Sequence, residues 1–226
     1  RLHDEAVLAD KLFSLRAGGE FFQDLSFDTI SAAGANAAMA HYNHLNGDPA
    51  TLQMGSVYLV DSGGHYLDGT TDITRTVAIG DPGAALRQHF TLVLKGHIAL
   101  DCARFPRGTT GTQLDVLARQ FLWGEGLDYD HGTGHGVGVF LSVHEGPQRI
   151  AKKHGGAALR PGMIVSNEPG YYRDGAYGIR CENLLVVRES ERAADETPML
   201  EFEALTLVPF DRRLLEPGLL TAGEIA

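Results

Sequence analysis

Five side chains in this 226-residue sequence could together hold metal ions: Asp61, Asp72, His135, Glu168 and Glu182. They come as a carboxylate pair eleven apart, then a histidine, then a second carboxylate pair fourteen apart. Four carboxylates and one imidazole make a hard, oxygen-rich donor set with a single nitrogen. Such a set suits Mn²⁺, Co²⁺ or Zn²⁺ in a catalytic role, whereas a structural zinc would want thiolates. Four negative charges match two divalent ions. Two ions about 3.5–4 Å apart can hold a bridging water as hydroxide and clamp a tetrahedral intermediate. Each residue alone has a plainer reading. Asp61 in "VDSGG" is a turn former, the glutamates are solvent-face strand residues, and a histidine in a glycine loop is usually a surface donor. "HGTGHGVG" contains neither G-x-G-x-x-G nor G-K-[ST], so a phosphate loop is a weak reading. The joint order of the five carries the argument.

The elements around them must bring them together. "MIVSNE" and "IRCENLLVV" are strand-like and "PGYYRDGAYG" joins them. A hairpin with its tip at Asp174-Gly175-Ala176 sets Glu168 directly opposite Glu182. Opposed β-carbons lie about 4.5–5.5 Å apart, a destabilising placement for like charges unless a cation sits between them. Pro169 cannot donate to a ladder, so the strand must end, bulge or lie at an edge there. The first pair is harder to join. The natural tight turn in "DSGGHYLDGTTD" is Asp68-Gly69, which pairs Asp72 with His65 and leaves Asp61 four residues further along. A bulge at Gly63-Gly64 or an offset register is then needed. The glycines flanking His135 are read as letting backbone approach a centre closely.

Helix signals lie elsewhere. Residues 3–17 read as a helix with Val7, Leu8, Leu12 and Leu15 on one face, ended by Gly18-Gly19. Residues 25–46 read as strand, loop, strand, and 56–80 as two or three strands. A helix follows, capped by Asp81 with Pro82 at its first position, and apolar at Leu86, Phe90, Val93 and Leu100. Thr112 with Asp115 opens another helix in capping-box style, and Gly124 stops it. Beyond residue 126 the chain is strand-like, including "VGVFLSV". This layout predicts α+β, with helices on one face of a mostly antiparallel sheet. The chain is 43% apolar and 21% charged, enough for one buried domain over 1–226. A net charge of −10 argues against nucleic acid or an anionic membrane as partner. Two cysteines make neither a disulfide framework nor a zinc motif and read as reduced, cytoplasmic thiols. No apolar run reaches the ~18 residues of a membrane helix.

The segments "VDSGGHYLDGTTDITRTVAIG", "LKGHIAL", "YDHGTGHGVGVFLSVHEGP", "GMIVSNEPGYYRDGAYGIRCENLLVV" and "FEALTLVPF" together resemble the catalytic domain of aminopeptidase P (Xaa-Pro aminopeptidase). That family belongs to the pita-bread metallopeptidase superfamily, with methionine aminopeptidase and prolidase. The resemblance runs from Phe21 to Phe210. The nine-residue step from His135 to His144 and the ending "FLSVHEGP" point to the branch of the eukaryotic cytosolic enzyme. It implies a curved antiparallel sheet with helices on its outer face. It implies metal ligation by Asp61, Asp72, His135, Glu168 and Glu182, with Asp72 and Glu182 bridging two divalent ions, Mn²⁺ foremost and Co²⁺ or Zn²⁺ as alternatives. Glu168 would also act as general base, His144 would contact substrate near the scissile bond, and His41 would help stabilise the reacting carbonyl. Arg180 would support the site, and Tyr172 would lie near the metals. His135, Arg180 and Tyr172 complete the implied substrate-binding set.

The implied substrates are peptides with proline at position 2, cut before that proline. An X–Pro bond has no N–H for a peptidase to grip, so recognition must come from pocket shape and the free amine. A prolidase-type dipeptidase and a catalytically silent binding module on the same scaffold are the competing readings. The presence of all five candidate ligands weighs against the module. Family members carry creatinase-like domains before this one. Their absence reads as a C-terminal fragment of a longer chain, with a homodimer belonging to the full-length protein. The stretch from Gly18 to Phe22 is shorter than the family leads one to expect.

Overall fold

The computed structural model describes residues 3–153, 155–191 and 197–225. Helix α1 (Glu5–Ala17) opens on Asp4, whose carboxylate accepts from the Val7 N–H at 2.8 Å. Its docked face keeps only half of the expected apolar one, Leu8 and Leu12 being half-buried. Val7 and Leu15 are exposed, while Glu5 and Ala9 are buried. The helix is held by the Glu5 carboxylate, a polar anchor that apolar periodicity cannot reveal. The short stretch after it is a tight turn in which Phe21 takes φ 67°.

Strands β1 (Phe22–Leu25), β2 (Ile30–Ala33), β3 (Ser56–Ser62), β4 (Gly64–Tyr66), β5 (Gly69–Thr70) and β6 (Ile73–Ile79) follow. Beyond β2, where a second strand was expected by residue 46, two 3-10 turns stand at Gly34–Ala38 and His44–Asn46. "GANAAMAHYNH" has no β-branched residue to favour a strand. Helices α2 (Ala84–Asp101) and α3 (Gly111–Gly124) flank β7 (Arg104–Pro106). Both begin elsewhere than expected. Gly83, at φ 80°, caps α2, and Asp81 accepts from the Gly83 N–H and pairs with Arg87. Thr110 caps α3, and the Gln113 side chain accepts its N–H at 2.8 Å. Asp115 is thereby released to the interior.

The chain ends through β8 (Gly134–His135), β9 (Arg149–Ile150), β10 (Ile164–Asn167), β11 (Gly170–Arg173), β12 (Tyr177–Arg180), β13 (Asn183–Glu189), β14 (Met199–Ala204) and α4 (Ala222–Ile225). "VGVFLSV" forms no strand. It is a loop whose tip is solvent-facing, with Val139 84% exposed. Every ladder among the described residues is antiparallel. One main sheet has the order β2-β3-β6 and the other β10-β13-β14-β7. Helices α2 and α3 cover both. Phe90, Val93 and Leu122 pack with Val57, Ala78 and Ile179, while Leu100, Leu114 and Ala118 pack with Val165, Leu185 and Leu200.

The two main sheets share one device. In the first, β3 pairs with β6 up to Ser62↔Ile73, the ladder breaks at Gly63 and at Thr71-Asp72, and it resumes as the β4–β5 hairpin at His65↔Thr70. In the second, β10 pairs with β13 up to Asn167↔Asn183. It breaks at Glu168-Pro169 and at Cys181-Glu182, then resumes as the β11–β12 hairpin at Gly170↔Arg180. Neither ladder slips across its break. The second therefore keeps Glu168 in register with Glu182, with its tip at residues 174–176, as the hairpin argument requires. The first corrects the expected turn. The tip is Leu67-Asp68, not Asp68-Gly69, so His65 faces Thr70 and not Asp72. Asp61 lies opposite Thr74, two residues from Asp72, and two residues along a strand return to the same face. This offset register joins the aspartates without an inserted residue. At Gly63 a β-carbon would stand 1.9 Å from the Thr71 carbonyl oxygen, so the close crossing at the break excludes any side chain there.

Candidate metal centre

The breaks face one another across the seam between the two sheets. The Thr76 hydroxyl on β6 accepts from the Arg180 N–H at 3.1 Å, and Glu182 N–H donates to the Thr74 carbonyl at 3.3 Å. Along that seam the five sequence-derived candidates converge. Donor atoms of Asp61, Asp72 and Glu182 lie within 4.8 Å of one another. So do those of His135, Glu168 and Glu182, and those of Asp72, His135 and His144. Asp72 and Glu182 each belong to two of these groups, a position from which a carboxylate can serve two centres.

Each candidate is aimed by a neighbour. The His135 Nδ1 is 2.9 Å from the Gly136 carbonyl, which can only accept, so Nδ1 carries the proton and Nε2 turns inward. That Nε2 lies 3.3 Å from Asp72 and 3.4 Å from Glu168. Ser166 links His135 and Glu168, taking the His135 backbone N–H at 2.9 Å and donating to Glu168 Oε1 at 3.0 Å. Thr74 donates to Glu182 at 2.6 Å. Arg180 is 3% exposed and forks three ways: to Asp61 at 2.6 Å, to the Tyr172 hydroxyl at 2.6 Å and to Thr74 at 3.1 Å.

Electrostatically the cluster is short of positive charge. Burial, joined by the charge of Asp72, lifts Asp61 to about 6 in spite of Arg180. Burial lifts Glu168 to about 7 against the pull of His135, and carries Glu182 well above the ordinary carboxylate range. Burial alone would lower His135, but its bond to Asp72 and the charge of Glu168 raise it to about 9. Asp61 Oδ1 is buried without a hydrogen-bond partner. A buried unpaired carboxylate oxygen beside three further carboxylates is a donor set built for cations. The residues therefore fit a pair of divalent ions by number, hardness and geometry.

A cleft of about 420 Å³ opens over the cluster, walled by His41, His131, His135, His144, Glu168 and Arg180 among others. The His144 ring meets that of His135 edge-on, with centroids 4.3 Å apart. His41 and Tyr42 also line the cleft, on the segment between the two 3-10 turns. Tyr172 lies deeper and lines an adjoining pocket of about 440 Å³ with His41 and His131. Its hydroxyl is committed to Arg180 and, at 2.8 Å, to His131 Nε2.

His131 and its support were not singled out from sequence. Its Nδ1 faces the Gly132 carbonyl at 2.8 Å, leaving Nε2 to accept from Tyr172, and burial holds its pKa down at about 4. The only sequence hint is that it begins the same histidine-glycine run as His135. Asp115, fully inside, receives the Thr133 hydroxyl at 2.6 Å and pairs with Arg119 at 2.7 Å. Arg119 in turn donates to the Tyr129 and His131 carbonyls. Helix α3 thus holds the strand that presents His135. The flanking glycines serve packing: a β-carbon at Gly134 would stand 2.0 Å from the Ser166 carbonyl, and one at Gly136 2.1 Å from that of Glu145. What approaches closely is neighbouring backbone.

Known proteins share this fold. The model of metallopeptidase family M24 matches residues 3–189. A probable Xaa-Pro aminopeptidase P of Tuber melanosporum is 55% identical over 98% of this chain, which spans 36% of that protein. One of Sclerotinia sclerotiorum is 53% identical over 98%, spanning 37%. The chain thus spans little more than a third of these curated relatives. The crystal structure of X-prolyl aminopeptidase from Caenorhabditis elegans, described as a cytosolic enzyme with a di-nuclear active site, matches at TM-score 0.96 and 45% identity. It covers 100% of this chain and 37% of its own. The prolidase from Pyrococcus furiosus matches at TM-score 0.77 and 28% identity, covering 92% of this chain and 57% of its own. The fold is the pita-bread one expected, with carboxylates and imidazole gathered at its seam, and the chain belongs to metallopeptidase family M24.

Proposed function

We propose that this chain removes the first residue from peptides whose second residue is proline, with two divalent ions held by Asp61, Asp72, His135, Glu168 and Glu182. The carrying observation is the convergence of those donors within 4.8 Å groups along one seam. When bound, the ions would supply Lewis acidity toward the carbonyl and acidify water near neutral pH. The rest falls to the protein. Asp72 and Glu182, each shared by two of the donor groups, would help hold both ions. Glu168, on the cleft wall, takes the proton from the attacking water, and Ser166 fixes which of its oxygens is engaged. Arg180 keeps Asp61 oriented and ionised. His144 and His41 both line the cleft, where a ring N–H can donate to the developing oxyanion. The oxygen-rich set favours Mn²⁺ first, with Co²⁺ and Zn²⁺ compatible.

Replacing Glu168 by Ala removes a donor and a base together and is expected to abolish turnover; an assay on an X–Pro peptide reads this directly, and wild-type cleavage would refute the assignment. The prolidase likeness supports a second reading, a dipeptidase on the same site. A series of X–Pro peptides of increasing length separates them. The aminopeptidase reading expects activity on long chains, whereas the dipeptidase reading expects it to vanish beyond two residues. The cytosol fits as the working compartment. The worm relative is described as cytosolic, Cys102 and Cys181 are free, and among the described residues no helix is long and apolar enough to cross a membrane.

A further inference from the structure

Glu5 lies in the first turn of α1 with none of its surface exposed. Its Oε1 accepts from Ala33 N at 2.7 Å and Asn36 Nδ2 at 3.0 Å, and its Oε2 from the Tyr42 hydroxyl at 2.8 Å and Ala50 N at 2.8 Å. All four donors come from residues 33–50, the segment that carries His41 and forms one lip of the cleft. Burial, with Glu5 beside it, holds the Tyr42 hydroxyl up at about 12, so its proton stays in place to be donated. The main chain repeats the link, Glu5 N–H donating to the Ala50 carbonyl at 3.1 Å. Elsewhere the segment is held by packing, its 3-10 turn lying on β2, β3 and β12 with Ala37 buried beside Ala32 and Leu59. No strand forms between residues 34 and 50. Its firm contact on the far side is the Ala37 carbonyl, which lies so near Gly178 that a β-carbon there would be 1.7 Å away. A carboxylate is buried at high cost unless donors replace its water, and bonds to an ionised acceptor are roughly twice as strong as neutral ones. Glu5 is therefore a strong clamp with all its strength directed at one loop.

We propose that Glu5 is a positioning residue of this site: by gripping segment 33–50 at both ends and at Tyr42, it sets where His41 stands on the cleft wall. This rests on the peptidase reading, in which His41 meets substrate. Glu5→Gln keeps the shape but turns an N–H₂ toward the N–H of Ala33 or Ala50. In the metal-loaded protein, amide exchange across 34–50 should speed up while β3 and β6 stay protected. The kcat/KM on an X–Pro peptide should fall on the order of tenfold with metal content unchanged. In a His41→Ala background, Glu5→Gln should cost nothing more. Asn36→Ala, which removes one donor and leaves the carboxylate, should shift exchange and kcat/KM the same way but less, and carries the test if Glu5→Gln does not fold. Unchanged exchange across 34–50, or equal losses with and without His41, would overturn the proposal. A wild-type protein inactive on X–Pro peptides would sink the peptidase reading instead, and the exchange measurement would still decide whether Glu5 holds the loop.

Discussion

On the proposed reading, His144 marks the boundary between residues that hold ions and residues that meet substrate. Its ring packs against that of His135 and shares a donor group with Asp72, yet it is exposed on the cleft wall while the carboxylates beneath are buried. Burial lowers its pKa, and His135 adds to the effect, so at neutral pH it offers one N–H and one lone pair. We expect His144→Ala to lower kcat/KM by about 10²–10³, in the range for removing one oxyanion donor. Metal analysis of the purified variant should still find two ions per chain, and loss of metal would move His144 among the ligands. The residues that hold the site in place were the least visible in the sequence. Asp115 and Arg119, four apart, support residues 129–133, while Ser166 meets His135 31 residues before it and Thr74 meets Glu182 108 residues on. No local pattern encodes such a pair, whereas the carboxylates show themselves by type and order.

At the scale of elements, legibility followed the strength of the local signal. The Glu168–Glu182 hairpin could be placed to the residue because its glycine tip fixes a symmetric register. The Asp61–Asp72 hairpin could not, because "LDG" offers two neighbouring turns and the Asp-Gly preference chose the wrong one. Helix starts failed similarly where several capping residues stand in a row, as at Thr109, Thr110 and Thr112. Strand β8 depends on a bare backbone. In Gly134→Ala the new methyl would collide with the Ser166 carbonyl, pushing β8 off β10 at a cost of about 1–3 kcal/mol. A denaturant melt should show that loss, and metal affinity should drop with it, since His135 is the next residue. Helix α2 carries a second testable group. His97 is 2% exposed, and burial, aided by the charge of Arg75, lowers its pKa from 6.5 to about 4. Below 6.5 the unfolded chain takes up a proton that the folded chain refuses. Its contribution to stability is therefore complete above 6.5 and is lost as pH falls toward 4, at up to about 1.4 kcal/mol per pH unit. Urea titrations across that window should show the slope, and His97→Gln should remove one proton's worth of it.

For the whole molecule, ions bound as proposed would be part of what holds the two sheets together. Three buried carboxylates and the half-buried Glu168 meet at the seam with only Arg180 and His135 as cations in contact, so removing metal should leave repulsion between the two halves. Each bound ion stabilises by about 2.7 kcal/mol when free metal is roughly 100 times Kd. We expect a chelator to lower the melting temperature by several degrees and Mn²⁺ to restore it; a melt indifferent to both would mean that the seam does not hold ions. The in-phase breaks in both ladders bear on how such a chain tolerates change in length. Residues added at the outer tips, beside Asp68 or Gly175, lengthen an arm beyond the break and leave the phase of the carboxylates untouched. Deleting one residue between a break and its tip turns the strand over and swings an acid out of the seam. Loop-length variation should therefore accumulate at the two tips and be rejected within the arms, so that the outer ends of both hairpins can change while the carboxylate cluster keeps its shape.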